Sequence, residues 1–442
     1  MNVTITPTKL KGTITPPPSK SQAHRLIIAA ALAEGESVIS NVAFSQDIEA
    51  TLSCMKALGA KAAVDGSTLT ITGIGKKRTP YAPCMCGITH LDCGESGSTL
   101  RFLIPVALAV AGGAFFTGRG RLLARPQEPY ADLFAEKGIF FAHEAQAITV
   151  GGDLTPGEYH LPGDVSSQFI TGLLYALPLL DGDSTIRITT AKLESVDYVA
   201  MTLDALKQFG VTVEHKGWMT YHIPGNQTYQ PQQLAVEADW SQAGFWYAAA
   251  GIGNEVEVTG MNPKSIQGDK EIVNWGRMID GRPMEGGVSV PILGKASQAM
   301  RPSTPVSTAH ATSIDVSHCP DLVPPAAAWG AMMNGTLYLN NAARLRIKES
   351  DRLAAVTATL NAMGAKVTEG EDNLIIEGQT SLKGGVTVDC CNDHRIAMMA
   401  AIAATRCEAP VTLVGAECVK KSYPNFWEDY EKLGGRIVRS EV

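Results

Sequence analysis

Hydrophobic and polar positions repeat along this chain. An alanine-rich apolar stretch recurs six times: SKSQAHRLIIAAALAEG from Ser19, GSTLRFLIPVALAVAGG from Gly97, SSQFITGLLYALPLLDG from Ser166, SQAGFWYAAAGIG from Ser241, DLVPPAAAWGAMMNG from Asp321 and DHRIAMMAAIAA from Asp393. With Ser21, Ser98, Ser167, Ser241, Asp321 and Asp393 as markers, successive copies stand 69 to 80 residues apart. An amphipathic stretch follows each, stops at a glycine, and gives way to a short alternating strand. DIEATLSCMKALGAKAAV, SVDYVAMTLDALKQFGVTV and ESDRLAAVTATLNAMGAKV show it best. The closing glycines (Gly59, Gly138, Gly210, Gly281, Gly364 and Gly434) trail their markers by 38 to 43 residues. A fixed offset inside a fixed period marks six copies of one supersecondary unit.

Each unit reads as helix, strand, helix, strand, strand. The helices rest on apolar spacing and glycine stops. The strands rest on pieces such as TLTITG, TIRITT, EVEVTG and LIIEG, which are rich in β-branched residues and bounded by turn signals. The fold class is therefore α/β, with helices packed on small sheets. Six units divide most simply into two domains of three, with a crossover near Gln232 to Asp239. No Pro- or Ser-rich linker intervenes, so a hinge is expected rather than a tether.

Bulk properties narrow the function. At 442 residues the chain exceeds one core. A formal net charge of -7 speaks against a nucleic-acid or general polyanion binder, so anion chemistry must come from a local cluster of basic residues. The N-terminal residues lack the apolar core of a secretory signal, and no run reaches the roughly 18 apolar residues of a spanning helix. Nine scattered cysteines fit a cytoplasmic protein with reduced thiols. Cys84, Cys86, His90 and Cys93 are four zinc-type donors, but Cys-x-Cys followed by His-x-x-Cys is not a common structural spacing. These thiols, like Cys390 and Cys391, read as small packed residues, and no metal is expected.

The starts of the apolar helices carry the chemistry. Every first helix is expected to open on a hydroxyl or carboxylate cap, which for Ser241 serves stability alone. Several first turns also hold cations or polar donors: Lys20, Ser21 and Arg25; Arg101 after Gly97-Ser98-Thr99; Ser166, Ser167 and Gln168; Asp393, His394 and Arg395. A helix N-terminus offers unpaired N–H groups and partial positive charge, and basic side chains there add charge-assisted hydrogen bonds. Arg125, Lys348, Arg352 and Lys421 extend the set. The expected ligand is a small molecule with several negative charges, held between two repeat-built domains. No phosphate-binding G-x-x-x-x-G-K-[ST] loop is present, and no dinucleotide fingerprint in a strand-to-helix setting, so no cofactor is expected.

At these residues the chain resembles a known family. PPPSKSQAHR, SGSTLR, the Arg-Pro at Arg125, GDVSSQF, HCPD, RIKESDRL, NDHR and KSYPNFWED look like the successive signature segments of the 5-enolpyruvylshikimate-3-phosphate synthases, in order from Lys20 to Tyr430. The resemblance implies two domains, each of three βαβαββ units in an inside-out α/β barrel, with residues 20-236 as one and residues 1-19 and 237-442 as the other. An active-site cleft and hinge would lie between them. It implies transfer of the enolpyruvyl group of phosphoenolpyruvate to the 5-hydroxyl of shikimate 3-phosphate, with release of phosphate, by a cytoplasmic monomer without cofactor.

By the same resemblance, Ser21, Arg25, Ser166, Ser167, Gln168, Ser195 and Tyr198 hold shikimate 3-phosphate, with Lys20, Asp321 and Lys348 also touching it. Lys20, Gly97, Arg101, Arg125, Gln168, Arg352, Arg395 and Lys421 form the phosphoenolpyruvate subsite. Asp321, Glu349 and Lys20 are the catalytic set: Asp321 takes the hydroxyl proton with Lys348 beside it, and Glu349 or Lys20 moves the proton at the methylene carbon. Two positions depart from the family pattern. Glu95 replaces an amide ahead of Ser96-Gly97-Ser98, and Arg344 stands where some members place Asn. An enolpyruvyl transferase for a UDP-sugar would carry a reactive Cys in the stretch TGRGRLLARPQEP, which has none. A catalytically silent binder of phosphorylated metabolites would need neither Asp321 nor Glu349.

Overall fold

A computed structural model describes residues 1–75, 87–281 and 310–441; Cys84 and Cys86 lie outside the described residues. The described helices come in pairs, one pair per repeat, and are numbered here in chain order. They are Lys20–Leu32 (α1) and Gln46–Ala57 (α2), Gly97–Ala111 (α3) and Glu128–Lys137 (α4), Ser167–Ala176 (α5) and Val196–Gln208 (α6). Trp240–Gly251 (α7) and Ile272–Ile279 (α8), Val323–Gly330 (α9) and Arg352–Ala362 (α10), His394–Ala404 (α11) and Phe426–Lys432 (α12) follow.

The first helix of each pair is apolar all round because it is a core helix. In α3, 13 of 15 residues are buried. The second helix of each pair shows one face to solvent. All six closing glycines sit in the left-handed region, with φ between 67° and 113°. That conformation ends a helix at little cost only without a Cβ.

The second, third and fifth repeats share one sheet plan. In the second, His90–Asp92 runs parallel to Gly113–Thr117, which pairs antiparallel with Ala147–Gly151 and that with Phe140–His143. The first and sixth sheets complete the plan with distant strands. Gln233–Ala235 supplies the opening parallel strand beside Glu36–Ser40. Asn2–Thr6 lies between Val411–Val414 and Arg436–Ser440 in the sixth sheet. In the fourth repeat the described pairing is Lys11–Ile14 parallel to Glu255–Val258.

The chain forms two compact units, Pro18–Glu237 and Met1–Pro17 with Ala238–Val442. Each has its own continuous apolar core. Among the described residues no helix is long and apolar enough to cross a membrane, and no group of three or more His, Cys, Asp or Glu could hold a metal ion.

The helix starts correct the sequence reading in two places. The cap of α7 is Asp239, which accepts from the N–H of Gln242, and Ser241 lies inside the helix. The fifth first helix, α9, has no side-chain cap at all. Pro324 and Pro325 in its first turn have no N–H groups to satisfy, so the need for a cap is small. Asp321, in the short 3-10 turn before it, is thereby left for other partners. Elsewhere Ser19, Ser96, Ser166 and Asp393 cap α1, α3, α5 and α11.

Within Pro18–Glu237, α3 and α5 approach closely at Gly172. A Cβ there would stand 2.3 Å from the Tyr130 hydroxyl and 2.5 Å from the Arg101 carbonyl. The Tyr130 hydroxyl bonds the carbonyls of Arg101 and Phe169, joining the two helices behind their polar first turns. Gly172→Ala is expected to force the helices apart at a cost of about 1–3 kcal/mol. A fall in the urea midpoint with unchanged m-value is the check.

Candidate active site

In Pro18–Glu237, the first turns of α1, α3 and α5 gather the predicted polar residues into two groups. One centres on Arg25, which is 3% exposed. Its Nε donates to the Thr202 hydroxyl (2.9 Å), Nη1 to the Ser21 carbonyl (2.7 Å) and Nη2 to the Tyr198 carbonyl (2.8 Å). Its guanidinium also lies over the rings of Phe102 and Tyr198. Ser195, immediately before α6, is held in a left-handed conformation (φ 53°, ψ 48°), a strained choice for a non-glycine residue.

The other group surrounds Gly97. A Cβ on Gly97 would meet Arg125 Nη1 at 3.0 Å and Gln168 Oε1 at 3.4 Å, so the absent side chain is what lets those groups approach the helix start. Arg101 Nη1 donates to Gln168 Oε1 (2.9 Å), which turns the amide nitrogen toward the Ser98 hydroxyl (3.1 Å). Arg101 lies against the Phe169 ring, and its Nη2 donates to the Pro126 carbonyl. It is thus locked behind Gln168. Ser166 serves as the cap of α5. Lys20 is paired with Asp47 of α2 at 2.6 Å. The Glu95 carboxylate faces Gly120, where a Cβ would stand 2.5 Å from it.

In the other unit, Asp321, Lys348, Glu349, Arg352 and Arg395 form one network with Asp393. Arg352 is 1% exposed and Asp393 fully buried, whereas Asp321 and Glu349 keep 19% and 17% exposure. Arg352 donates from Nη1 to Asp321 (2.8 Å), from Nη2 to Glu349, and from Nε to Asp393 (2.8 Å). Arg395 reaches the far oxygen of Asp321 at 2.9 Å. Asp393 takes a further bond from the Ser350 hydroxyl while capping α11. Lys421 donates to the Asn392 carbonyl at 2.6 Å. Asn392 and Cys391 are both left-handed, so this loop is bent sharply to meet it. Arg344 donates to the Ser317 carbonyl.

Burial works against every charge here, and the neighbours decide the outcome. Burial would raise Asp321, but Arg395, Lys348 and Arg352 outweigh it and hold the carboxyl far below the usual range. For Arg352 burial is outweighed by Asp393, Glu349 and Asp321, which push the guanidinium above its ordinary value. Lys348 yields to burial, with Arg344 and Arg352 adding to the fall against the pull of Asp321. Its ammonium comes down to about 8. The network presents cations held ready by carboxylates, an arrangement suited to exchanging those carboxylates for a ligand's anionic groups.

Sequence reasoning missed Asp47, Thr202 and the central role of Asp393. Asp393 was visible as the start of a helix, but its bond to Arg352 spans 41 residues and had no local signal. For Asp47 and Thr202 the only available hint was position in a helix facing α1.

Comparisons with known proteins bear on the whole chain. The family model described as EPSP synthase (3-phosphoshikimate 1-carboxyvinyltransferase) matches residues 5–430. A 3-phosphoshikimate 1-carboxyvinyltransferase of Clostridium novyi is 45% identical, over 99% of this chain and 98% of the relative. One from Clostridium acetobutylicum is 45% identical, over 98% of each. The solved EPSP synthase of Acinetobacter baumannii shares the fold at TM-score 0.73 and 24% identity, covering 99% of this chain and 100% of that one.

Lys348 gives a direct test of the network. It is expected to titrate near pH 8, and Asp321→Asn should lower that value further, since the carboxylate opposes the fall. NMR of labelled lysine reads both. The folded value lies below the unfolded one of about 10.4, so Lys348 opposes folding at neutral pH. That opposition fades as pH rises from 8 toward the unfolded value.

Proposed function

The chain belongs to the EPSP synthase (3-phosphoshikimate 1-carboxyvinyltransferase) family, and we propose that it joins the enolpyruvyl group of phosphoenolpyruvate to the 5-hydroxyl of shikimate 3-phosphate and releases phosphate. The observation that carries this reading is Asp321, a partly exposed carboxylate gripped by Arg352 and Arg395 with Lys348 alongside. Addition of a hydroxyl to an enol phosphate needs a base, a proton for the methylene carbon, and cations for carboxylate and phosphate charge. This network contains residues of each kind.

We assign Ser21, Arg25, Ser166, Ser167, Gln168, Ser195 and Tyr198 to shikimate 3-phosphate. Lys20, Gly97, Arg125, Gln168, Arg352, Arg395 and Lys421 are assigned to phosphoenolpyruvate. Arg101 acts there by orienting the Gln168 amide. Asp321 takes the 5-hydroxyl proton, and Lys348 steadies the oxygen. Glu349, within reach of Arg352, is our choice to move the proton at the methylene carbon. Lys20, the alternative, is tied to Asp47.

Held by two guanidiniums, Asp321 is a weak base. A substrate anion that draws Arg352 and Arg395 onto its own oxygens would free the carboxylate and restore its basicity. Binding of phosphoenolpyruvate would then itself switch on the base. Elimination of phosphate from the adduct completes the reaction, with the same cations stabilising the departing charge. We read the enzyme as a cytoplasmic monomer acting on small phosphorylated molecules.

Phosphate release from phosphoenolpyruvate, measured with and without shikimate 3-phosphate, tests the reading. Release should require shikimate 3-phosphate and fall about 100- to 10,000-fold in Asp321→Ala, the range for a lost general base. Release with a UDP-sugar instead, or an unaffected mutant, would overturn it.

A further inference from the structure

Beneath the Gly97 group lies a buried polar chain that the assignments above do not use. His24 follows Lys20 by one turn of α1, adjoins Arg25, and is fully buried. Its Nδ1 is 2.7 Å from the Thr51 hydroxyl of α2. Thr51 is 2.6 Å from the Thr99 hydroxyl of α3. Thr99 donates to the Ser96 hydroxyl at 2.7 Å, and its N–H donates to the same oxygen. Three helices are thus joined at their first two turns by one run of hydrogen bonds.

The run has a direction. Thr99 has one hydroxyl proton, and it goes to Ser96 Oγ, with the more distant Asp47 carbonyl as the other acceptor within reach. Thr99 therefore accepts from Thr51, and Thr51 accepts from an Nδ1–H of His24. That leaves the imidazole neutral with an unprotonated Nε2, an atom that is buried and has no partner. Burial first, then Lys20 and Arg25, keep a second proton off the ring.

An apolar side chain of similar size would fill this space without leaving a buried acceptor unpaired, a defect that costs on the order of a hydrogen bond's desolvation. The feature that only an Nδ1–H donor supplies is the fixed sense of the chain that ends at the cap of α3. Gly97 is the first residue after that cap, with Arg125 and Gln168 closed against it.

Resting on the function proposed above, we infer that His24 is a positioning residue for the phosphoenolpyruvate subsite, acting through Thr51 and Thr99 on the first turn of α3. It touches no substrate. Asn can test the idea, because its side-chain N–H can stand in for the imidazole Nδ1–H. His24→Leu is expected to raise KM for phosphoenolpyruvate about tenfold, while KM for shikimate 3-phosphate stays within about twofold. His24→Asn should recover most of the loss. Thr51→Val added to His24→Leu should cost little more than either alone, since both break the same chain.

Nitrogen-15 NMR of labelled histidine supplies a reading independent of turnover: an Nδ1–H, Nε2-bare tautomer is expected. The opposite tautomer, an unchanged KM in His24→Leu, or equal losses in both KM values that Asn does not repair would each overturn the inference. Wild-type protein that releases no phosphate with shikimate 3-phosphate would instead count against the proposed function, and the tautomer would still decide the direction of the chain.

Discussion

Arg352 sits with 1% of its side chain exposed, in a place where an unpaired guanidinium would be costly to bury. Asp393, Glu349 and Asp321 hold it, each from a different stretch of backbone. Removing one partner from such a buried set leaves an uncompensated charge, at a cost of about 3–5 kcal/mol. Asp393 is the member that cannot be spared, because the same carboxylate caps α11 and takes the Ser350 hydroxyl. The start of α11, the loop before α10 and the turn before α9 are therefore fixed relative to one another by one guanidinium. Asp321 and Glu349, the partners that keep some exposure, are the two with proposed roles in the reaction.

The repeat explains why such residues collect at helix starts. Its first helix is apolar on all sides, so it must be buried along its length and can show polar groups only at its ends. The N-terminal end carries unpaired N–H groups, and that is where anion-binding side chains gain most. Prolines change the terms at α9. By removing donors from the first turn they free Asp321 from capping, so the one first helix lacking a side-chain cap is the one that follows the proposed base.

Much of the fold was legible because the signals were local and repeated. The apolar runs from Gly97 and Asp393 became core helices, and the glycines from Gly59 to Gly434 all took the left-handed conformation their stop positions required. Cap identity was less legible. Asp239 and Ser241 both suit the start of α7, and only the backbone path shows which of them accepts an N–H. Partners that meet across long separations left no trace in the pattern: Asp47 with Lys20, Thr202 with Arg25, Thr51 with His24. Each is a polar residue on a helix that would otherwise be taken for a solvated or packed position.

The sixth sheet has a bearing on how the protein is made. Its strand Asn2–Thr6 leaves the ribosome long before its two neighbours, Val411–Val414 and Arg436–Ser440. The unit Pro18–Glu237 has every strand it needs once Glu237 has emerged. The other unit must wait until Arg436–Ser440 has been made. Throughout that interval Val3 and Ile5, fully buried in the finished protein, belong to a strand with both edges unpaired. Translation order thus sets the two halves out of step, and the opening strand is the segment most in need of shielding from other nascent chains.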